Sequence, residues 1–171
     1  MALSPIFYSF SVFSILVFSL FVISPASNAA VIHEEFPKNI DSNGHYVFYS
    51  HGFIVEGDNP TPTDTRNGWG LYDFPAIKQA LSDESYQLIA FHRPKDTDPF
   101  GYANELNRQI RTLVGKGVSA SNITIIGFSR GAFITGLTSD KVSDLAVNTI
   151  ILAGCGRLVW KNHADIKVHG H

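Results

Sequence analysis

The chain has 171 residues, enough for one domain, with 44% hydrophobic side chains and a single cysteine. Thirteen Lys and Arg against fifteen Asp and Glu leave a formal net charge of −2, which argues against a nucleic-acid partner held by bulk positive charge. One cysteine excludes an internal disulfide, and neither a Cys/His metal spacing nor a Gly-Lys-Ser/Thr phosphate loop occurs, so no metal and no cofactor is expected.

Residues 1–29 carry no charged side chain, and Ile6 to Ser24 is almost entirely apolar, aromatic or serine. Ser27 and Ala29 place small residues where a signal peptidase cuts, so residues 1–29 read as a secretory signal peptide and the protein as exported, periplasmic or extracellular. The alternative is an uncleaved membrane anchor over residues 6–24, since the apolar run is of spanning length. Membrane contact is expected only in that case.

Val31 to Phe36 reads as a first strand, and Asp41-Ser42-Asn43-Gly44 as a turn. Tyr46 to Ser50 reads as a strand that ends at His51-Gly52-Phe53. Glu56 to Gly70 is rich in Gly, Pro, Asp, Asn and Thr and reads as a loop, long enough to carry function. Asp73 caps a helix with Pro75 in its first turn. Gln87 to His92 reads as the next strand and Pro94 to Pro99 as a loop. Tyr102, Leu106, Ile110, Leu113 and Val114 fall on one helical stripe, stopped by Gly115 and Gly117. Val147 to Ala153 is a further apolar strand. Its end, Gly154-Cys155-Gly156, places Cys155 as a small buried residue. Strands that are hydrophobic throughout and alternate with helices imply α/β architecture: a mostly parallel sheet with helices on both faces. The site of such a sheet lies at the carboxyl ends of its strands, where His51, His92, Ser129 and Cys155 fall.

Ile123-Thr124-Ile125-Ile126-Gly127-Phe128-Ser129-Arg130-Gly131-Ala132 is the chemically informative run. Four β-branched residues predict a buried strand, and helix-permissive residues follow Ser129. Strand, tight turn, serine and helix together define a nucleophile elbow, with small residues two before and two after the serine so that strand and helix pass closely. The alternative is an ordinary strand-to-helix crossover in which Ser129 is an N-cap. Asn122-Ile123-Thr124 matches a glycosylation sequon but opens the buried strand, which discounts it.

From Tyr46 to Gly156 the chain resembles the α/β-hydrolase superfamily of serine esterases and lipases, on Gly127-Phe128-Ser129-Arg130-Gly131 and, more weakly, on Ser50-His51-Gly52-Phe53. The resemblance implies Ser129 as the catalytic nucleophile, and the backbone N–H groups of Phe53 and Arg130 as the oxyanion hole. It implies a small-molecule acyl substrate. The superfamily order is serine, acid, histidine on later strands. Here one clear strand follows the elbow helix, and Asp165 to His171 reads as the start of another. The C-terminal part of the fold, with the acid and histidine, is therefore expected to be missing, and residues 30–171 read as a partial hydrolase domain. His163, His169 and His171 are the candidate proton acceptors near Asp144 and Asp165, each with an exposed tail residue as its plain alternative. His51 is expected to support the oxyanion loop by hydrogen bonds, and His92 to end a strand. Arg93 and Arg130 either bind a substrate anion or are salt-bridged. The readings left open are a serine hydrolase acting on carboxylic esters, a non-catalytic remnant of one, and an α/β domain binding a small molecule or anion at the elbow helix.

Overall fold

The computed structural model describes residues 29–154 and 161–170. The leader or anchor, Cys155 and His171 lie outside the described residues.

One sheet of five parallel strands runs β1-β5-β2-β6-β7. Its strands are β1 (Val31–His33), β2 (Tyr46–Ser50), β5 (Gln87–Ile89), β6 (Ile123–Phe128) and β7 (Asn148–Leu152). The central strand explains the layering. All five residues of β2 are buried. Its side chains alternate between faces, so each face needs its own cover. Tyr46 and Phe48 pack with Leu106, Ile110 and Leu113 of α2 (Pro99–Gly115) and with Ile134 of α3 (Arg130–Lys141). Val47 and Tyr49 pack on the other face with Phe74, Ile77 and Leu81 of α1 (Phe74–Leu81). This is the mostly parallel, doubly covered sheet that the alternating pattern predicts.

Local chemistry sets the helix starts. The Asp73 carboxylate accepts from Ala76 N at 2.9 Å. The Asp98 carboxylate accepts from Phe100 N at 3.2 Å and Gly101 N at 2.8 Å, so both helices open on an N-cap followed by proline.

Three expectations are corrected. β1 ends at His33, where the predicted strand ran to Phe36. The next residue, Glu34, turns away to pair with Lys78 of α1. The loop from Glu56 to Gly70 contains half of a small antiparallel hairpin, β3 (Thr63–Asp64) paired with β4 (Gly70–Leu71). The Asp64 carboxylate closes its turn by accepting from Asn67 N and Asn67 Nδ2, both at 2.9 Å. The described part of the tail, Asp165 to Gly170, forms no strand. It is tied instead to α3, where the Ser139 hydroxyl donates to His169 O and accepts from His169 N, each at 2.7 Å.

Candidate active site

Ser129 joins β6 to α3 at φ 54 and ψ −117. This is a backbone conformation that non-glycine residues rarely adopt, at a cost of roughly 1–3 kcal/mol. Close packing on both sides enforces it. A Cβ on Gly127 would overlap the Gly131 backbone, and one on Gly131 would overlap the Ser50 carbonyl. The strand, the helix and the end of β2 therefore meet with no room for a side chain. Ser129 N–H donates to Leu152 O at 2.9 Å, which pins the turn to the end of β7. Ser129 occupies the N-cap position, yet its side chain makes no capping hydrogen bond. The hydroxyl is left at the surface, on an exposed residue. The ordinary N-cap alternative therefore lacks its defining bond.

The loop after β2 lies against this turn. A Cβ on Gly52 would sit 3.4 Å from Ser129 Cβ and 3.3 Å from Phe128 Cδ1. Phe53 begins a short 3-10 turn (Phe53–Val55), and Arg130 begins α3. First-turn N–H groups have no acceptor within their own helix. The two amides named as oxyanion donors are thus of the kind left free for a ligand, on segments that both border Ser129.

Two clefts meet at the serine. The larger, about 770 Å³, is lined by Ser129, Phe53, Trp69, Tyr72, Phe128 and Ala153 among others, with Glu56, Asp64, Asn67 and Lys95 at its polar margin. The smaller, about 380 Å³, is lined by Ser129, Phe53, Arg130, Phe133, Pro99, Ala153 and Gly154. Ser129, Phe53 and Ala153 belong to both and form the ridge between them. Ala153 itself holds φ 51, a second backbone outlier on the ridge it shares with Ser129.

His51 lies behind the ridge. It is buried, and its Nδ1–H donates to Gly52 O at 2.8 Å while Nε2 accepts from Arg93 N–H at 2.9 Å. Burial pushes its pKa down to about 3, with the nearby Arg93 charge acting the same way. With both nitrogens engaged, the neutral ring braces the loop and has no free lone pair for a serine proton. The described histidines of the tail separate clearly. The His163 ring packs against Phe100 at 5.5 Å and against Phe133, a lining residue of the smaller cleft, at 5.3 Å between centroids. His169 lies at the far end of α3, with Nε2 3.7 Å from Asp140 Oδ1. Asp140 is eleven positions along the chain from Ser129, a rise of about 16 Å, so the candidate acceptor His169 is outside hydrogen-bond reach of the serine. Asp144 is paired with Arg111 through two bonds of 2.6 and 3.0 Å, at the same remote end. His92 Nε2–H donates to Val55 O at 2.7 Å.

Sequence reasoning passed over Glu56. Its side chain is 1% exposed and lies between the guanidinium groups of Arg93 and Arg130. The signal was present as an acid directly after the apolar Phe53-Ile54-Val55, but the turn-rich residues beyond it read as solvated loop. Trp69 and Tyr72 were hidden for the same reason. Among the described residues no three His, Cys, Asp or Glu side chains gather as a metal ion requires, and no helix is long and apolar enough to cross a membrane.

Comparison with known proteins agrees with this architecture. The alpha/beta hydrolase family matches residues 69–171, and the chain belongs to that family. No curated protein sequence matches it. Among solved structures it is similar to the acetyl xylan esterase from Aspergillus awamori, at 18% identity and a TM-score of 0.37. The alignment covers 71% of this chain and 47% of that one, so the chain spans about half the length of that enzyme.

Proposed function

We propose that the protein is a serine hydrolase acting on carboxylic esters or related acyl compounds. The observation that supports this most is the strained, uncapped Ser129 standing on the ridge between two clefts. Ser129 Oγ adds to the acyl carbonyl while a base takes its proton. The negative charge that develops on the carbonyl oxygen is met by the N–H groups of Phe53 and Arg130. Collapse of the tetrahedral species expels the alcohol with a proton and leaves the acyl group on Ser129, and water then releases the acid. Two clefts give the two sides of an ester separate rooms. The base in this reading is a histidine, and His163 packs on Phe133, which lines the smaller cleft.

A fluorophosphonate probe is expected to label the protein, and Ser129→Ala to abolish labelling. Labelling that survives the substitution would move the nucleophile elsewhere. We also propose export with removal of the leader. Edman sequencing of the protein from the secreted or periplasmic fraction is expected to start at Ala30 or Val31, and protein found only in membranes with Met1 retained would favour the anchor instead.

A further inference from the structure

Three charged side chains with no direct part in that chemistry meet behind the two oxyanion amides. The Glu56 side chain is 1% exposed and that of Arg93 0%. Glu56 Oε1 lies 3.4 Å from both Nε and Nη2 of Arg93 and 3.3 Å from Nε of Arg130. Arg130 is held at its other end by Nη2, which donates to Thr97 O at 2.8 Å, and its guanidinium stands 5.0 Å over the Phe53 ring. Arg93 reaches the opposite way. Its backbone N–H donates to His51 Nε2, and its Nη2 donates to the His51 carbonyl. One carboxylate oxygen therefore links the residue that braces the Phe53 loop to the residue whose own N–H is the second donor.

This arrangement is a poor way to gain stability. Glu56 Oε2, Arg93 Nη1 and Arg130 Nε are buried without hydrogen-bond partners. Buried ion triads are often no more stabilising than well-packed apolar side chains of similar volume. What the triad does supply is position. The loop carrying Phe53 and the start of α3 come from distant parts of the chain, and two guanidinium groups closing on one oxygen fix one against the other.

We propose that Arg93–Glu56–Arg130 is a clamp that sets the spacing and direction of the Phe53 and Arg130 amides, with the side chains acting as positioning groups. The proposal rests on the serine hydrolase reading. An oxyanion exists only in the transition state and the tetrahedral intermediate, so donors held in the wrong place weaken turnover far more than substrate binding.

Arg130→Met tests this most cleanly. It keeps the backbone N–H and leaves Glu56 paired with Arg93. Two measurements read it out: kcat and KM on p-nitrophenyl acetate, and the affinity of phenylboronic acid, whose tetrahedral adduct with Ser129 puts a boron-bound oxygen in the oxyanion position. Removing a whole oxyanion donor costs roughly 10²–10³ in kcat; for a displaced donor we expect roughly tenfold. KM is expected to stay within about twofold, boronate affinity to fall in step with kcat, and Arg130→Lys to recover part of the loss. Arg130→Gln, which keeps a donor toward Thr97, is the second variant should the methionine form fail to fold, and it is expected to show the same split. Wild-type kcat and boronate affinity in a folded Arg130 variant overturn the clamp, as does a rise in KM with kcat unchanged. Turnover that persists in Ser129→Ala overturns the serine reading instead. A wild-type protein that neither hydrolyses the ester nor binds the boronate overturns both.

Discussion

At the scale of single residues, the site divides by how its parts are encoded. Ser129, Gly127 and Gly131 were legible because a sterically tight turn admits few residue types, and that restriction shows in the letters themselves. Glu56 was not legible, because its partners Arg93 and Arg130 lie far along the chain and only the fold brings them together. The tight turn sets a first expectation. In Gly131→Ala a methyl group would overlap the Ser50 carbonyl, which should cost about 3 kcal/mol or more, at or beyond the upper end of core overpacking. Urea unfolding measures this, and a loss under 1 kcal/mol would mean the turn can open. His51 sets a second. Its pKa is about 3 in the folded protein, against an unperturbed value near 6.5. The unfolded chain binds the extra proton and the folded one does not. The contribution of this neutral ring is therefore complete above the unfolded value and is lost progressively as pH falls toward 3. Between pH 6.5 and 5, above the range where carboxylates protonate, stability should fall toward a slope of about 1.4 kcal/mol per pH unit from this group. Denaturant melts at half-unit intervals test it, and His51→Asn should flatten that window.

At the scale of elements, the central strands were legible from their apolar runs, α1 and α2 from a buried face and a start of Asp followed by Pro, and α3 from the glycine-flanked turn before it. The hairpin β3–β4 was not. Its strands are two residues each, too short to show any alternation, and its turn is closed by the single side chain of Asp64. The tail was misread as a strand because Ile166 and Val168 alternate with polar residues. Its backbone partner is a hydroxyl on α3, which no periodicity reveals. The N-cap of α2 gives a third expectation. Asp98→Ala removes acceptors from two first-turn amides and should cost about 1 kcal/mol. Pro99 lines the smaller cleft, so fraying there should also raise KM before it lowers the melting temperature by more than a few degrees. Unchanged KM would separate the cap from the cleft.

At the scale of the whole molecule, the two faces of the sheet are covered unequally. Ile150 and Leu152 of β7 are each 42% exposed. They are in register with Ile126 and Phe128 of β6, on the α1 side. Among the described residues β7 is an outer strand. Exposed apolar surface on an outer strand favours association between copies. Ile150→Lys should lower concentration-dependent light scattering while changing stability by roughly 0.5 kcal/mol or less. Scattering unchanged by that charge would place the sticky surface elsewhere, for instance at Trp69 and Leu71, which are 71% and 61% exposed. The strand order also has a consequence in time. Tyr46 of β2 pairs with Gln87 and with Ile123, so this fully buried strand leaves the ribosome with neither neighbour made. At about 5–20 residues per second, the roughly 77 residues that separate it from Ile123 take on the order of 4–15 s to synthesise. For that interval one edge of Tyr46–Ser50 has no strand to receive it, and the turn that strains Ser129 cannot close. The newborn chain is then most open to capture by a chaperone or by another copy of itself, and the turn that leaves the Ser129 hydroxyl at the surface forms only after Ile123–Phe128 has joined Tyr46–Ser50.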